Sequence, residues 1–501
     1  MGRYRLRRRA LCKHRSHVHH YPSPYEHAHQ GELLKTCRRG LKALRILLRA
    51  EEGDMKKIFA YIVAVTLLSL SAVTSHAVDA PARKLVSLFD AGKRVGPSTG
   101  MDACARCASA SAFLKSEILK KTGYAFKGKG SDIVIKIVPE NEVRGPEGYA
   151  ISHEDGRVVL RAGSEAGALY GARALMNTLE KDPQGFYFRK ATIEDFPGIR
   201  IRALHLPLIS DASYMKEVIT RAALLRFNTV IIMADDMVVY HSHPELARKG
   251  ALPMETLEEI VAHARGLGLN VIPEIQLLTH QTDLFKTAHP SLMLNAHTYD
   301  PDKEEVFRIV FDLIDELADV FSPEYFHIGH DEVWGVHWAT KPAVKDKDRV
   351  LNFDAYARHI NRVQEYLKRK NIKTIIWGDM FLHPSMFTEM AWKQLHGTDG
   401  FDNALGLISK EVVIADYHYY DTSDFSTMKF FQKKGFKVFG STFDKKNNIF
   451  SFARYALKLE EPPLGMISTT WFHMTRMEKQ IIDDIIGWSA EAYWDPMSQW
   501  K

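Results

Sequence analysis

The chain has 501 residues, of which 46% are hydrophobic and 26% are charged, and its formal net charge is +6. This is the composition of a folded globular protein and excludes a disordered chain, and four Cys in this length exclude a disulfide scaffold. The length suits two or three domains of about 150 residues, or a (β/α)8 barrel of about 250 residues beside a smaller unit.

The positive charge is concentrated in residues 1–54. This segment carries 13 Lys or Arg against five Asp or Glu, and it contains six of the 23 His. We interpret it as a leader that precedes the true initiator, Met55; the alternative is a disordered basic arm that binds nucleic acid. From Val78 onward the chain has 52 basic and 56 acidic residues, a net charge of −4. The overall positive charge therefore gives no reason to expect a nucleic-acid partner.

Residues 55–77 have the three parts of a secretory signal peptide. Met55-Lys56-Lys57 supplies the short basic region, an apolar run extends from Ile58 to Leu70, and a small-residue stretch ends at Ala77. The strict apolar run is shorter than the roughly 20 residues of a membrane span, so we expect cleavage before Val78 rather than anchoring. The sequence thus predicts a secreted or periplasmic protein without a membrane anchor after cleavage.

Residues 78–190 are predicted to form a small α+β domain. The expected elements are a helix at Ser109–Lys121, a strand at Ile133–Val138, a hairpin around Glu154-Asp155-Gly156, and a helix at Glu165–Leu179 with Ser164 as its N-cap.

Cys104 and Cys107 form a Cys-x-x-Cys motif at the start of this domain. A local disulfide, a redox pair and half of a metal site are the alternatives. Because the mature chain has no second Cys pair, zinc is disfavoured and a structural or incidental pair is preferred.

Residues 196–495 alternate between short apolar runs and helical stretches. Eight runs are expected as strands: Ile201–Leu206, Thr229–Met233, Asn270–Ile275, Tyr325–Ile328, Thr374–Trp377, Val412–Ala415, Lys437–Gly440 and Gly465–Thr470. Helical stretches lie between most of them, so the pattern predicts an α/β fold of the (β/α)8 TIM barrel type. A doubly wound open sheet is the alternative, but the sequence lacks the glycine-rich phosphate loop typical of that fold, and we expect no cofactor.

The predicted strands end in residues that suit a sugar site. These are Asp235 and Asp236 after the second strand, Glu274 and His280 at and after the third, Asp331 and Glu332 after the fourth, Trp377 and Asp379 at the fifth, Tyr417 and Tyr419 after the sixth, and Trp471 after the eighth. In a TIM barrel the catalytic groups lie at these ends. Aromatic rings stack on the apolar faces of sugars, and carboxyl groups act on the glycosidic oxygen. One acid after a strand is often only a helix cap, so the prediction depends on their convergence.

The sequence FHIGHDEV at residues 326–333 resembles the strand-4 motif of glycoside hydrolase family 20, the β-N-acetylhexosaminidases. Further landmarks follow the family's order: Asp195-Phe196-Pro197, Arg202–Leu206, Ala234-Asp235-Asp236, Val271–Ile275 with His280, Trp377, Trp471 and the Gly167–Ala172 helix. The likeness covers nearly all of residues 80–495. It implies an exo-acting hydrolase that releases terminal N-acetylhexosamine (GlcNAc or GalNAc) from a glycan by retaining, substrate-assisted catalysis, with no metal.

The resemblance also implies roles for four catalytic residues. Glu332 is expected to protonate the leaving oxygen and then to act as the base toward water. Asp331 is expected to orient the sugar's 2-acetamido group and to stabilise positive charge on the intermediate. Asp235 and His280 are expected to form a relay that orients Glu332.

Four aromatic residues are expected to bind the sugar. The resemblance implies that Trp377 and Trp471 wall the pocket. Tyr417 or Tyr419 is expected to bond the acetamido oxygen, and Tyr419 is preferred.

The sequence departs from the family at two positions of the expected site. His330 stands where the family usually has Gly, and Ser210 stands where an Arg that grips the sugar hydroxyls is expected. We expect Asp379 to take over part of that Arg's role and His330 to line the pocket.

Alternatives to an active hexosaminidase follow from these departures. One is a related glycosidase with shifted sugar specificity, and another is a carbohydrate-binding protein on an inactive barrel, against which the retained catalytic residues argue. A metal hydrolase using His327, His330 and Asp331 is disfavoured, because His327 and His330 point to opposite faces of a strand. The natural glycan and the oligomeric state are not indicated by the sequence.

Overall fold

The computed structural model describes residues 84–498, apart from 127, 346–348 and 391. The predicted leader (1–54) and signal peptide (55–77) lie outside the described residues, and both stay predictions. Within the described part of the chain, no helix is both long enough and apolar enough to cross a membrane.

A seven-stranded mixed sheet with two helices forms the first part of the described chain. Its elements are β1 (Lys84–Val95), β2 (Gly100–Ala103), α1 (Ala108–Thr122), β3 (Gly128–Ile137), β4 (Tyr149–Glu154), β5 (Arg157–Ala162), α2 (Glu165–Met176), β6 (Leu179–Asp182) and β7 (Gly185–Asp195). The strand order is β1-β7-β4-β5-β3-β2, with β6 paired to β7. The expected hairpin is the antiparallel β4–β5 pair, and the Ser164 hydroxyl caps α2 by accepting a hydrogen bond from the Gly167 N–H. The sheet continues to Asp195, past the predicted boundary at 190.

Cys104 and Cys107 are joined by a disulfide just ahead of α1. Of the alternatives that the motif left open, the structure contains the local disulfide. Cys107 is fully buried and belongs to the core of this domain, where it packs with residues of α1 and α2.

The remainder of the chain forms a closed barrel of eight parallel strands surrounded by helices. Its elements are β8 (Ile201–Pro207), α3 (Ala212–Leu224), β9 (Thr229–Met233), β10 (Val238–Val239), β11 (Leu252–Pro253), α4 (Met254–Gly266), β12 (Asn270–Leu277), α5 (Glu304–Phe321), β13 (Tyr325–Gly329), α6 (Phe353–Arg369), β14 (Lys373–Trp377), β15 (Val413–Tyr417), α7 (Ser426–Lys433), β16 (Lys437–Thr442), α8 (Lys446–Leu457), β17 (Gly465–Thr469) and α9 (Lys479–Trp494). Strands β8, β9 and β12–β17 close the barrel, while β10 and β11 form a separate parallel pair. The predicted TIM barrel is confirmed.

The barrel strands are continuous apolar runs in the sequence, because one face of each strand packs inside the barrel and the other packs under the surrounding helices. On β9, Ile231 belongs to the cluster inside the barrel, while Val230 and Ile232 belong to the larger core under the surrounding helices. The interior cluster includes Trp377 at the end of β14 and Tyr417 at the end of β15. The interior core thus extends to the carboxyl ends of the strands, where the candidate site lies.

Trp494, at the end of α9, connects the barrel to the sheet domain. Its ring is fully buried, its Nε1 donates to Asp195 Oδ1 at 2.9 Å, and Tyr170 meets it edge-on at a centroid distance of 5.3 Å. Beside it, the Arg202 guanidinium of β8 makes two bonds of 3.0 and 2.8 Å to the carboxylate of Glu147. A polar and aromatic contact around Trp494 therefore joins the two domains.

Candidate active site

Asp331 and Glu332 lie directly after β13, as the sequence predicts, but in different environments. Asp331 is 7% exposed and its Oδ1 accepts a hydrogen bond from Gln276 Nε2 at 3.1 Å. The Glu332 side chain is 37% exposed. One carboxyl group is therefore held inside the rim, and its neighbour is open to solvent.

His280 lies between these two acids. Its Nε2 is 3.6 Å from Asp331 Oδ1 and 3.9 Å from Glu332 Oε2. Burial works to lower the pKa of His280, but the charges of Asp331, Glu332 and Asp235 outweigh it and raise that pKa to about 9. His280 is therefore an imidazolium at neutral pH, shared by the two carboxyl groups.

The two acids have opposite pKa shifts. Burial works to raise the pKa of Asp331, but His280 and the Gln276 amide outweigh it, and the net pKa is lowered. Burial raises the pKa of Glu332; His280 opposes this, the Asp331 charge adds to it, and the net direction is upward. Asp331 therefore loses its proton at a lower pH than Glu332, which is the order that an ionised stabiliser beside a general acid requires.

Asp235 reaches the site through the backbone of β12. Its Oδ1 accepts a hydrogen bond from the Gln276 N–H at 2.7 Å, and burial raises its pKa to about 7. The relay of Asp235 and His280 stays a prediction: among the described residues, no ion pair of 4.0 Å or less joins the two, and the Asp235 charge acts on His280 at longer range. The Gln276 backbone N–H instead holds Asp235 through its Oδ1.

Asp379, which we expected to bind the sugar, instead supports Glu332. It is 2% exposed, and its Oδ2 accepts the Glu332 backbone N–H at 3.0 Å and His396 Nδ1 at 2.7 Å. Its second oxygen, Oδ1, is buried without a hydrogen-bond partner among the described residues. A role in sugar binding is therefore restricted to this Oδ1, and the main contacts of Asp379 position the acid.

His396 and His337 complete the surroundings of Glu332. The Asp379 contact overcomes the effect of burial and raises the pKa of His396. His337 Nε2 is 3.6 Å from Glu332 Oε1, and burial together with His396 lowers the pKa of His337 to about 2. Glu332 therefore has a cationic imidazole on the Asp379 side and a neutral imidazole near its carboxyl group.

Glu332, His337 and His396 are close enough to one another to hold a metal ion, but their chemistry does not suit one. His396 has both ring nitrogens in hydrogen bonds, Nδ1 with Asp379 Oδ2 and Nε2 with the Lys393 carbonyl oxygen, each at 2.7 Å. Both neighbours are acceptors, so both nitrogens carry protons and neither has a lone pair for a metal. This group is an acid–base cluster.

The aromatic residues meet beside the acid pair. Tyr417 and Tyr419 stack at a centroid distance of 4.8 Å, Trp471 Nε1 donates to the Tyr419 hydroxyl at 3.2 Å, and Trp377 lies 5.7 Å from Trp471 and 5.8 Å from Tyr417 between ring centroids. Trp471 is partly exposed, whereas Trp377 is fully buried. Trp377 therefore forms the floor beneath the other rings rather than an exposed wall.

Polar atoms without partners point to a ligand here. The Tyr417 hydroxyl, Trp377 Nε1 and Gln276 Oε1 are all buried with no hydrogen-bond partner among the described residues. Buried polar groups are normally bonded, so these atoms are available to a polar ligand. The Tyr419 hydroxyl accepts the Trp471 N–H and keeps its own O–H to donate, so Tyr419, which we preferred, and Tyr417 can both donate to a ligand.

His330 does not line the pocket, which corrects the sequence prediction. It is fully buried; its Nδ1 bonds the Ile328 carbonyl at 2.7 Å and its Nε2 bonds His359 Nδ1 on α6 at 2.9 Å. Burial lowers its pKa to about 4. Its φ is +75°, in the left-handed region that favours glycine, which is the residue the family usually has at this position. Pointing the side chain toward α6 is how this chain accommodates a larger residue beside the acids.

Glu274 lies inside the barrel rather than at its rim. Its carboxylate is completely buried, 2.8 Å from His205 Nε2 and 3.5 Å from His327 Nδ1. Burial works to raise the pKa of Glu274, but the two imidazoles outweigh it and the net pKa is lowered. The His327 ring packs against Trp377 at 4.4 Å between centroids. Glu274, His205 and His327 therefore support Trp377, the floor of the pocket, from inside the barrel.

Several residues at or near the carboxyl ends of the barrel strands have a strained backbone. Positive φ angles are found at Asp235 (+39°), His280 (+56°), His330 (+75°), Glu332 (+52°) and Trp471 (+41°). Non-glycine residues adopt this region at a cost of about 1–3 kcal/mol each, and such residues cluster at functional sites. This strain supports the view that the rim is the working site.

Sequence reasoning missed Gln276, His337 and His396. Gln276 follows Glu274 by two positions on β12, and period-two alternation would have placed both on the interior face. His337 and His396 lie in irregular segments with no periodic pattern, so only the tertiary structure brings them to Glu332. Ser210 is exposed after β8 and shows no contact that replaces the expected Arg.

Comparison with protein-family models identifies two matching segments. The catalytic domain of glycosyl hydrolase family 20 matches residues 190–495, and domain 2 of the same family matches residues 81–196.

Curated relatives match about half of the chain or less, at low identity. The β-hexosaminidase subunit beta of Entamoeba histolytica is 24% identical over 284 residues, covering 49% of this chain and 50% of the relative. The β-hexosaminidase subunit alpha of Bos taurus is 26% identical over 229 residues, covering 40% of this chain and 42% of the relative. The chain thus matches at most about half the length of these relatives.

Solved structures share the fold over most of the chain. An exo-β-N-acetylglucosaminidase from Vibrio harveyi superposes with a TM-score of 0.64 and 16% identity, covering 84% of this chain and 74% of the other. A β-N-acetylhexosaminidase from Bacteroides fragilis gives a TM-score of 0.62 with 18% identity, covering 85% and 92%. At identities this low, the likeness to these structures shows a shared fold and nothing beyond it.

Proposed function

Because the chain belongs to glycosyl hydrolase family 20, we propose that it is an exo-acting β-N-acetylhexosaminidase that releases terminal GlcNAc or GalNAc from a glycan. The observation that carries the proposal is the pair of adjacent carboxyl groups with opposite pKa shifts, joined by one imidazolium and bordered by aromatic rings. The curated relatives named β-hexosaminidase support the same activity.

Glu332 is proposed as the general acid. Its raised pKa lets it keep its proton to a higher pH than an ordinary Glu, and its partly exposed carboxyl group is accessible to a glycosidic oxygen. After the leaving group departs, the same carboxylate accepts a proton from the incoming water.

Asp331 is proposed as the residue that orients the 2-acetamido group. In substrate-assisted retention, the acetamido oxygen attacks the anomeric carbon and the nitrogen side develops positive charge. The lowered pKa keeps Asp331 ionised, and the Gln276 amide holds it in place, so its negative charge is preorganised for that intermediate. The free Tyr417 hydroxyl is proposed to donate to the acetamido oxygen.

The test is hydrolysis of a panel of nitrophenyl glycosides by the wild-type chain and by Glu332→Gln and Asp331→Asn. We expect hydrolysis of the GlcNAc or GalNAc glycoside, and a loss in kcat of about 10²–10⁴-fold in Glu332→Gln. Asp421→Asn, at an exposed acid of the same rim, is the matched control and should retain activity. Unchanged activity in Glu332→Gln would refute the mechanism.

A glycosidase of shifted specificity is the second candidate, because Ser210 is exposed after β8 where the resemblance implies a sugar-gripping Arg. Equal rates on glycosides with and without the 2-acetamido group would favour it. Binding of these sugars without any hydrolysis would favour a carbohydrate-binding protein.

Export is proposed from the signal-like segment at 55–77, which makes the protein secreted or periplasmic. Mass spectrometry of the protein in the exported fraction tests this proposal. A mature N-terminus near Val78 supports it, and a peptide from residues 1–54 in that fraction contradicts it.

A further inference from the structure

Two copies of a His-Pro turn lie on neighbouring segments of the barrel rim. His243-Pro244-Glu245-Leu246 lies between β10 and β11, and His289-Pro290-Ser291-Leu292 lies between β12 and α5. In each, the His directly precedes a 3-10 turn, with φ and ψ of −138° and 63° at His243 and −129° and 59° at His289. A proline fixes its own φ and restricts the residue before it, so both imidazoles are held on rigid backbone.

The two imidazoles converge on one carboxylate oxygen. His243 Nδ1 lies 3.2 Å and His289 Nε2 lies 3.1 Å from Glu245 Oε1, and one ligand atom from each residue lies within 4.8 Å of the others. Zinc–nitrogen and zinc–oxygen bonds of about 2.0–2.1 Å in a tetrahedron place ligand atoms about 3.3–3.4 Å apart. The two His–Glu245 separations therefore suit ligands of one tetrahedral ion, and the two imidazole nitrogens, within 4.8 Å of each other, complete a set of three that leaves the fourth position to water.

Asp312 of α5 supplies an independent observation. Its Oδ2 lies 3.1 Å from His243 Nε2, on the opposite side of the ring from Glu245. A neutral imidazole has one N–H, and if Asp312 receives it, Nδ1 directs a lone pair at the Glu245 oxygen. This lone pair and the carboxylate oxygen repel each other. A cation between Nδ1 and Oε1 replaces that repulsion with two coordination bonds. A carboxylate behind a ligating His is also the usual second partner in zinc sites.

The site is accessible to an ion from solvent. The exposed fractions of the side chains are 18% for His243, 22% for His289 and 45% for Glu245. His289 also packs against Phe285 at a centroid distance of 6.0 Å. Partial burial and packing limit the freedom of the ligands without closing the site.

We propose that His243, Glu245 and His289 bind one divalent transition-metal ion of the zinc class, and that this ion ties the segment after β9 to the segment after β12. Asp235 of the candidate active site lies in the first of these segments, and His280 lies in the second. The ion is structural: it restrains the supports of the catalytic residues and takes no part in hydrolysis. The proposal does not depend on the proposed function.

The test is equilibrium dialysis or calorimetry of the untagged full chain with Zn²⁺ alone. We compare the wild-type chain with His243→Gln, His289→Gln and Glu245→Gln, and His263→Gln on α4 is the matched control. Because all variants carry the same residues 1–54, binding by the His of that segment cancels in the comparison. We expect each ligand variant to lose one bound Zn²⁺ per chain and the control to retain it.

Two further measurements distinguish the loss of the metal site from a loss of folding in the variants. Asp312→Asn should weaken Zn²⁺ binding by about 10–100-fold while keeping the stoichiometry. Zn²⁺ should raise the melting temperature of the wild-type and control chains but not of the ligand variants, whose metal-free melting temperature and circular dichroism should match wild type. Equal Zn²⁺ stoichiometry and affinity in wild type and His289→Gln, or no Zn²⁺ binding at all, overturns the proposal. In that case the cluster is a pair of protonated imidazoles bonded to carboxylates.

Discussion

Replacing Asp379 with Asn removes the negative charge that faces His396 and leaves a side chain of nearly the same shape. In the wild-type structure both side chains are 1% exposed, and Asp379 Oδ2 lies 2.7 Å from His396 Nδ1. Breaking a buried ion pair by removing one partner costs about 3–5 kcal/mol, because the other charge stays buried. His396 escapes part of this cost by losing its proton, so we expect a loss of about 3 kcal/mol in the free energy of unfolding. A loss of that size leaves a typical domain folded, since total stabilities are about 5–15 kcal/mol.

The loss should depend on pH with a defined sign. The folded-state pKa of His396 is raised above that of a free imidazole, which is about 6.5. The stabilisation from the pair is therefore fully present below pH about 6.5 and disappears as the pH rises through the raised folded value. The difference in unfolding free energy between wild type and Asp379→Asn should accordingly be largest near pH 6 and small in alkaline buffer.

Urea denaturation of four proteins measures this coupling: wild type, Asp379→Asn, His396→Gln and the double variant. The double variant has no buried charge at either position and should be more stable than the sum of the two single losses implies, with a coupling energy of about 2–3 kcal/mol. A coupling energy below about 0.5 kcal/mol, or one that does not change with pH, would refute the ion pair. The loss in kcat of Asp379→Asn, expressed as a free energy, should be smaller than its loss in the free energy of unfolding. The reason is that the Asn oxygen still accepts the Glu332 N–H.

Two further predictions concern the shared imidazolium and the domain contact. His280→Gln removes the cation that lowers the pKa values of Asp331 and Glu332. Both limbs of the pH profile of kcat/KM should therefore move to higher pH. Limbs that stay in place would contradict the assignment of His280 as the common partner of the two acids. Trp494→Ala removes a fully buried ring and its 2.9 Å bond to Asp195, and should lower the free energy of unfolding by about 3–5 kcal/mol in urea denaturation, whereas Trp494→Phe should lose less.

The sequence was sufficient to predict the barrel and the position of the acid pair. A strand buried on both faces must be a short apolar run, and the chain direction puts the residue after that run at the carboxyl end of the barrel. Strand β9 was therefore predicted at its observed bounds, Thr229–Met233, and Asp331 and Glu332 were placed directly after β13. These are local consequences of hydrophobic pattern and chain order.

Only the tertiary structure decided which way each rim side chain points and what it contacts. His330 and Asp379 look like pocket residues in the sequence, yet one turns toward α6 and the other holds the backbone of Glu332. His396 lies outside any periodic element and still determines the surroundings of the acid. Such contacts join residues far apart in the chain, and their energies depend on burial and on distances of a few ångströms. Residue order specifies neither quantity, so the chemistry of the site had to be derived from the folded chain.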